Sequence, residues 1–336
     1  MRKARKKEHV ENYLRTSFQG NNLLRDVYLP HNALPELNFD DIDTSLIFLN
    51  KKIDYPILIN AMTGGSDFSE EINKDLSTIA RDLNIPMAVG SETIALEDKD
   101  AEESFRVVRD IIGDEGIVIG NIGGLSSPED AKIAVDILRA DALQIHLNVA
   151  QELVMDEGDR DFKGVLKNIE SIVKGVKVPV IVKEVGFGIS HDVAKRLYDV
   201  GVRYIDVSGY GGTNFIEIEN LRNPSMDFTE LYSWGIPTAA SIIQVRKLSD
   251  NLNIIASGGI RTSMDIIKSI VLGADIAGIS GEILSYLVHG GLLNAKEYMD
   301  NTIYKLKVIM MLLGKKNLKE LREVDYKLTG KLREII

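Results

Sequence analysis

From residue 57 onward, short apolar runs alternate with amphipathic segments. The runs are ILIN (57–60), PMAV (86–89), GIVIG (116–120), ALQIHL (142–147), VPVIVK (178–183), RYIDVS (203–208), NIIAS (253–257) and DIAGIS (275–280), eight in all. Continuous, β-branched stretches of this length predict strands buried on both faces, as in a parallel sheet. Between them, SEEINKDLSTIARDL (69–83), SPEDAKIAVDILRA (127–140), HDVAKRLYDVG (191–201) and SMDIIKSIVLGAD (263–275) read as helices. Ser127 stands as an N-cap with Pro128 at the first helical position, while Gly201 and Gly273 stand at helix ends. Eight strand–helix alternations predict an α/β fold, a closed (β/α)8 TIM barrel, rather than a doubly wound sheet.

The ends of the chain do not share this rhythm. Residues 1–50 are expected to form an N-terminal arm and cap, residues 51–285 the barrel, and residues 286–336 terminal helices of the same domain. Arg2, Lys3, Arg5, Lys6 and Lys7 make a cationic head, which taken alone reads as a solvated tail. Pro30 and Pro35 interrupt any long helix in residues 21–50, where short strands and loops are expected. The MMLL segment (310–313) suits core or a subunit contact, and Trp234 fits a pocket edge and a buried core position equally well.

Composition narrows the chemistry. Hydrophobic residues make up 44% and charged residues 27%, as in a globular protein. With 40 Lys+Arg against 50 Asp+Glu the net charge is −10, which argues against nonspecific nucleic-acid or anionic-membrane partners. Zero cysteines excludes disulfides, thiolate metal sites and cysteine nucleophiles. No apolar run reaches the roughly 18 residues of a membrane span, and the basic N-terminus lacks the apolar core of a secretory signal. A cytoplasmic location is expected.

In a barrel the C-terminal strand ends share one mouth, where chemistry sits. The fourth run delivers His146, Asn148, Gln151 and Glu152 within a few residues, and the fifth ends in Lys183 and Glu184. The sixth is followed by Ser208-Gly209-Tyr210-Gly211-Gly212-Thr213-Asn214. The last two are followed by Gly258-Gly259-Ile260-Arg261 and Ser280-Gly281. Glycines there let backbone N–H groups approach a phosphate, helped by a following helix N-terminus. GYGGTN does not spell a dinucleotide fingerprint. Lys183 admits two readings: an ion pair with a neighbouring carboxylate, or a fixed positive charge that stabilises a developing anion. A phosphate cradle two strands from such a lysine makes flavin mononucleotide (FMN) the economical ligand, with Lys183 near the electron-rich edge of the ring.

The segments RKKEH (5–9), NAMTGG (60–65), QIHLNVAQE (144–152), VKEVGFG (182–188), DVSGYGGTNF (206–215), WGIPT (234–238) and ASGGIR (256–261) resemble the FMN-dependent type 2 isopentenyl diphosphate isomerases, over essentially the whole chain. The resemblance implies reversible allylic isomerisation of isopentenyl to dimethylallyl diphosphate over reduced FMN, in isoprenoid biosynthesis. It further implies Mg²⁺ and NADPH as reductant. Ala61, Met62, Thr63, Ser91, Asn121, Lys183, Ser208, Thr213, Gly258, Gly259, Ile260, Arg261, Ser280 and Gly281 would then line FMN. Arg5, Lys6, His9, Asn148 and Gln151 would meet the diphosphate, Glu152 would hold Mg²⁺, and His146, Gln151 and Lys183 would serve catalysis. The cationic head becomes a lid that orders over the mouth. Glu92, where the family varies, is given no role. A homo-oligomer, tetrameric or octameric, is expected.

Three other readings compete. An FMN oxidoreductase of the 2-hydroxy acid oxidase or dihydroorotate dehydrogenase type is the nearest, but Arg261 lacks the adjacent histidine that the hydroxy acid enzymes use. A nucleotide dehydrogenase of the inosine monophosphate type needs a catalytic cysteine. A noncatalytic flavin- or phosphate-binding regulator leaves the 5–9 and 146–152 clusters unexplained.

Overall fold

The structure is a computed structural model that describes residues 2–16, 18, 20–223 and 225–336, with residues 2–7 described for their backbone alone. Eight parallel strands pair in one closed ring in chain order. They are β1 (Ile57–Ile59), β2 (Met87–Ala88), β3 (Val118–Gly123), β4 (Ala142–Leu147), β5 (Val180–Glu184), β6 (Tyr204–Asp206), β7 (Asn253–Ala256) and β8 (Ile276–Ile279). Each falls on one of the eight apolar runs. The third differs at its end: GIVIG was expected to stop at residue 120, whereas β3 continues to Gly123, pairing Asn121 with Gln144 and Gly123 with His146. Residues 121–123 remain in the ladder because β4 is long enough to pair them, so Asn121 lies within a strand and not in a loop.

The helices that matter for the site are α1 (Arg2–Tyr13), α2 (Asp67–Asp82), α3 (Thr93–Glu97), α4 (Glu103–Ile112), α5 (Pro128–Leu138) and α6 (Val149–Val154), followed by α7 (Val165–Gly175), α8 (His191–Asp199), α9 (Phe215–Arg222), α10 (Thr238–Arg246), α11 (Ser263–Val271) and α12 (Gly281–Leu312). Helix α5 starts on a complete capping box: the Ser127 hydroxyl accepts from the Asp130 N–H and the Asp130 carboxylate accepts from the Ser127 N–H. Thr262 and Asp265 repeat the device at α11. The long α12 bends at Gly291, whose φ of 72° is left-handed.

Strand parity separates two cores. Ile57, Ile59, Met87, Val118, Leu143, Ile145, Val182 and Ile205 face the helices and join the large outer core. Leu58, Ala88, Ile119, Ala142, Ile181, Ile255 and Ile276 point inward and fill the lower barrel. That lower end is plugged by an antiparallel hairpin, Leu46–Phe48 with Lys51–Ile53, which brings Phe48, Leu49 and Ile53 onto the inner layer. The hairpin straddles residue 50, the expected boundary between arm and barrel. A second short pairing, Val27–Tyr28 with Lys327–Leu328, ties the two ends of the chain together. Among the described residues, no helix is long and apolar enough to cross a membrane.

Candidate active site

Moving up each strand by two residues, the inward positions change from apolar to polar. Above Leu58 sits Asn60, above Ile119 sits Asn121, above Ala142 sits Gln144, above Ile181 sits Lys183, and above Ile255 sits Ser257; Asp206 completes the layer, and all six are buried. One more step upward on β4 reaches His146. Asn121, Lys183 and Ser257 of this layer, with His146, floor a cavity of about 970 Å³ at the C-terminal mouth of the barrel, and Asn60, Gln144 and Asp206 lie beneath them.

Every described candidate except Thr63 lines that cavity. From the flavin set these are Ala61, Met62, Ser91, Asn121, Lys183, Ser208, Thr213, Gly258, Gly259, Ile260, Arg261, Ser280 and Gly281. From the substrate, metal and catalytic sets they are His9, His146, Asn148, Gln151 and Glu152. Thr63 is placed elsewhere: it is buried behind the wall, its hydroxyl 2.8 Å from that of Ser69 at the start of α2. The Arg5 and Lys6 side chains lie outside the described residues. Helix α1 packs against α9 and sets His9, Val10, Tyr13 and Leu14 along the cavity rim.

Lys183 is ion-paired and faces the cavity. Its Nζ lies 3.1 Å from Asp206 Oδ2 and donates to Ser257 Oγ at 3.3 Å, yet the side chain also lines the cavity. A buried ammonium without that carboxylate would carry a desolvation cost of several kcal/mol. Glu184, next along β5, turns away and accepts from the Phe187 N–H at 2.5 Å; burial pushes its carboxyl up to about 7, against the pull of backbone donors and Lys183.

The glycines after β6 and β7 have a role beyond approach to a ligand. A Cβ on Gly258 would sit 2.1 Å from Gly209 O, one on Gly259 2.3 Å from Gly211 O, and one on Gly212 2.4 Å from Gly259 N. Two backbone loops thus lock face to face without side chains between them. Among the described residues none accepts a hydrogen bond from the N–H of Gly259 or Ile260, and the first-turn N–H groups of α12 open beside them at Gly281. Such donors and the helix dipole suit a phosphate monoester. The Lys183 charge, the polar floor and the enclosed volume suit the rest of FMN. Gly281 also meets the arm, because a Cβ there would lie 2.2 Å from the Tyr13 hydroxyl. Burial raises the Tyr13 phenol, the Glu282 charge adds to the shift, and Arg261 opposes it.

The opposite side of the cavity is acidic and amide-rich. Asn148 Nδ2 donates to Glu152 Oε1 at 2.7 Å, and the Asp159 N–H donates to Glu152 Oε2 at 2.9 Å. Gln151 Nε2 donates to Glu219 Oε1 at 2.8 Å, and His9 Nε2 lies 2.9 Å from the same oxygen. Burial disfavours the Glu219 carboxylate, but His9, Gln151 and Arg222 outweigh it and hold the carboxyl below its ordinary value. Arg222 binds Glu219 at 2.5 Å, reaches Glu8 on α1 at 3.3 Å and pairs with Glu157. No group of three or more His, Asp or Glu side chains among the described residues forms a metal cage.

Four residues with no assigned role in the sequence reading belong to this architecture. Glu92 is fully buried: its Oε1 accepts from the Asn121 N–H at 2.9 Å, while its own N–H donates to Asn121 O at 2.7 Å. Glu219 and Arg222 sit on α9, whose polar residues look solvated in one dimension. Asp206 lies inside an apolar run, and its inward parity was the available signal. Trp234 is neither at the cavity nor in the core; it is 67% exposed, on a turn that Ile236 ties to Phe187 and Tyr210 by backbone hydrogen bonds.

Relatives at 42–46% identity match this chain over nearly their whole length. An isopentenyl-diphosphate delta-isomerase from Geobacillus sp. is 46% identical over 330 residues, covering 98% of this chain and 94% of that protein. The chain belongs to the isopentenyl-diphosphate delta-isomerase family. Within the family, the Bacillus licheniformis isomerase is 45% identical over 331 residues, covering 98% of this chain and 94% of its own. The Staphylococcus haemolyticus isomerase is 42% identical and covers 98% and 95%. Residues 144–327 also match the FMN-dependent dehydrogenase family, so the isomerase chain carries a flavin-barrel signature across β4 to β8. Among solved structures, a sulfite-bound flavocytochrome b2 variant aligns with TM-score 0.71 at 19% identity, covering 97% of this chain and 80% of that one. A mandelate oxidase variant with (S)-mandelic acid aligns at 0.69 and 16%, covering 96% and 94%. At such identities the likeness is one of fold.

Proposed function

We propose that the protein is an FMN-dependent isopentenyl-diphosphate delta-isomerase that moves a double bond between isopentenyl and dimethylallyl diphosphate. The observation that carries this reading is one cavity lined by both the glycine loops after β6 and β7 and the His9, Asn148, Gln151 and Glu152 cluster. The chemistry expected of bound FMN, reduced by NADPH, is proton transfer to and from the substrate double bond at a ring nitrogen.

The chain's own groups divide around that chemistry. Gly259, Ile260 and Gly281 would receive the FMN phosphate through backbone N–H groups, and Lys183 would present a fixed positive charge to an electron-rich ring. Glu152, oriented by Asn148, would hold Mg²⁺, a hard ion that accepts one or two carboxylates and completes its shell with water and substrate phosphate. That arrangement suits a site without a protein-only metal cage. Gln151, fixed by Glu219, and His146, at the top of β4, would face the hydrocarbon end and handle protons. Helix α1 would exclude water from the mouth. A homo-oligomer of four or eight chains in the cytoplasm belongs to the same proposal; Leu34, Ile47 and Leu293 are exposed apolar side chains of the kind a subunit contact buries.

The test is direct. Purified protein reconstituted with FMN is expected to be yellow, to bleach with NADPH or dithionite, and to convert isopentenyl diphosphate to the dimethylallyl isomer anaerobically with Mg²⁺. A chain that retains no flavin, or retains it and instead oxidises 2-hydroxy acids, overturns the reading. Glu152→Gln is expected to lower turnover at limiting Mg²⁺ by roughly one to two orders of magnitude while flavin stays bound. Unchanged turnover under those conditions would remove Glu152 from the metal.

A further inference from the structure

The polar floor of the barrel is a chain of hydrogen bonds whose direction is set at one end. Asp206 receives four donors: Asn60 Nδ2 at 2.6 Å, Ser257 Oγ at 2.5 Å, Lys183 Nζ at 3.1 Å and the Ser208 N–H at 3.2 Å. A carboxylate offers about four lone-pair sites, so Asp206 accepts at each and donates at none. Asn60 must therefore turn its amide nitrogen toward Asp206. The Ala61 N–H, 2.8 Å from Asn60 Oδ1, favours the same orientation, but as a single neutral donor it is weaker than the charged carboxylate.

Everything downstream follows from that choice. Asn60 Oδ1 accepts from Gln144 Nε2 at 3.0 Å, and Gln144 Oε1 accepts from Asn121 Nδ2 at 3.1 Å. Asn121 is left presenting Oδ1 to His146 Nδ1 at 2.8 Å. An amide oxygen has no proton to give, so the imidazole must donate from Nδ1. Asn60, Gln144 and Asn121 are buried, and reversing one of them would set two oxygens or two NH₂ groups against each other without water to relieve it.

We propose that Asp206 is a positioning residue which, through Asn60, Gln144 and Asn121, holds His146 in its Nδ1–H tautomer and makes Nε2 the ring atom whose protonation changes. The same carboxylate anchors Lys183, so one buried charge sets both the ammonium beneath the cavity and the tautomer of a histidine three amides away. This rests on the reading that His146 faces the site chemistry, but the tautomer itself is measurable without turnover. It is a second-layer constraint of the kind that orients catalytic and metal-bound histidines elsewhere.

The experiment is ¹⁵N NMR of the flavin-loaded protein labelled at histidine. The chain has only five histidines, and His146→Gln assigns the signal in question. At a pH where the ring is neutral, His146 is expected to show a protonated Nδ1 and an unprotonated Nε2. Asp206→Asn can donate as well as accept, which releases the direction of the chain, so an Nε2–H signal is expected to appear. Gln144→Leu breaks the relay at its middle while leaving the Lys183–Asp206 pair in place, and is expected to do the same should Asp206→Asn fail to fold. A wild-type ring protonated at Nε2 overturns the proposal. So does a folded, flavin-bearing Gln144→Leu or Asp206→Asn protein whose His146 keeps the wild-type pattern. Absence of isomerase activity with the Nδ1–H pattern intact would count against the function and not against this relay.

Discussion

Replacing Lys183 by methionine is expected to cost roughly 3–5 kcal/mol of folding stability, because it leaves Asp206 as a buried charge without its ionic partner. The pair is 3.1 Å apart with side chains 8% and 0% exposed, so little water reaches the abandoned carboxylate. Turnover should fall by about 10² to 10³ as well, the usual effect of removing a preorganised stabilising group from an enclosed site. The stability loss is isolated in the double variant. Lys183→Met with Asp206→Asn removes both charges and should recover most of the stability, measured by the urea unfolding midpoint, while turnover stays low. A single variant with wild-type stability would mean that the pair is neither as dry nor as coupled as its geometry indicates. A double variant that regains turnover would remove Lys183 from the chemistry.

Gly258→Ala is expected to abolish flavin retention. The residue has φ +98°, and its Cβ would lie 2.1 Å from Gly209 O, a backbone atom that cannot swing aside. The left-handed conformation alone costs about 1–3 kcal/mol for a residue with a side chain. The clash must further push the loop after β7 off the loop after β6, separating Ile260 and Gly259 from Thr213. Gly113→Ala is the control, since Gly113 has φ +75° and nothing within 4 Å of a built Cβ. It should lose stability through backbone strain and keep its flavin. If Gly258→Ala binds FMN as tightly as Gly113→Ala does, the interlocked loops are not the phosphate side of the site.

The polar and glycine candidates at the cavity could be read from the chain because barrel geometry sends every strand's C-terminal end to one mouth. His146, Asn148, Gln151 and Glu152 follow one strand, so their proximity is local and survives without any tertiary information. Gly258, Gly259 and Gly281 were legible for the same reason. The direction of the Thr63 side chain was not legible, because a loop residue can turn either way and the hydroxyl of Ser69 offers it a partner behind the wall. Trp234 fits a pocket edge or the core in sequence because large aromatics usually bury, whereas its side chain is exposed.

The sequence by itself determined the eight-fold alternation, the order of the strands around the barrel and the set of residues offered to the mouth. These depend on periodicity and on strand ends, which are properties of neighbouring residues. Only the tertiary structure decided which polar groups meet: Lys183 with Asp206, Gln151 and His9 with Glu219, Glu92 with Asn121, and the amide chain from Asn60 to His146. Those pairs join residues up to 210 positions apart, as His9 and Glu219 are. Their partners are chosen by strand register and side-chain parity inside a closed ring, where a buried donor must find an acceptor whatever its distance along the chain.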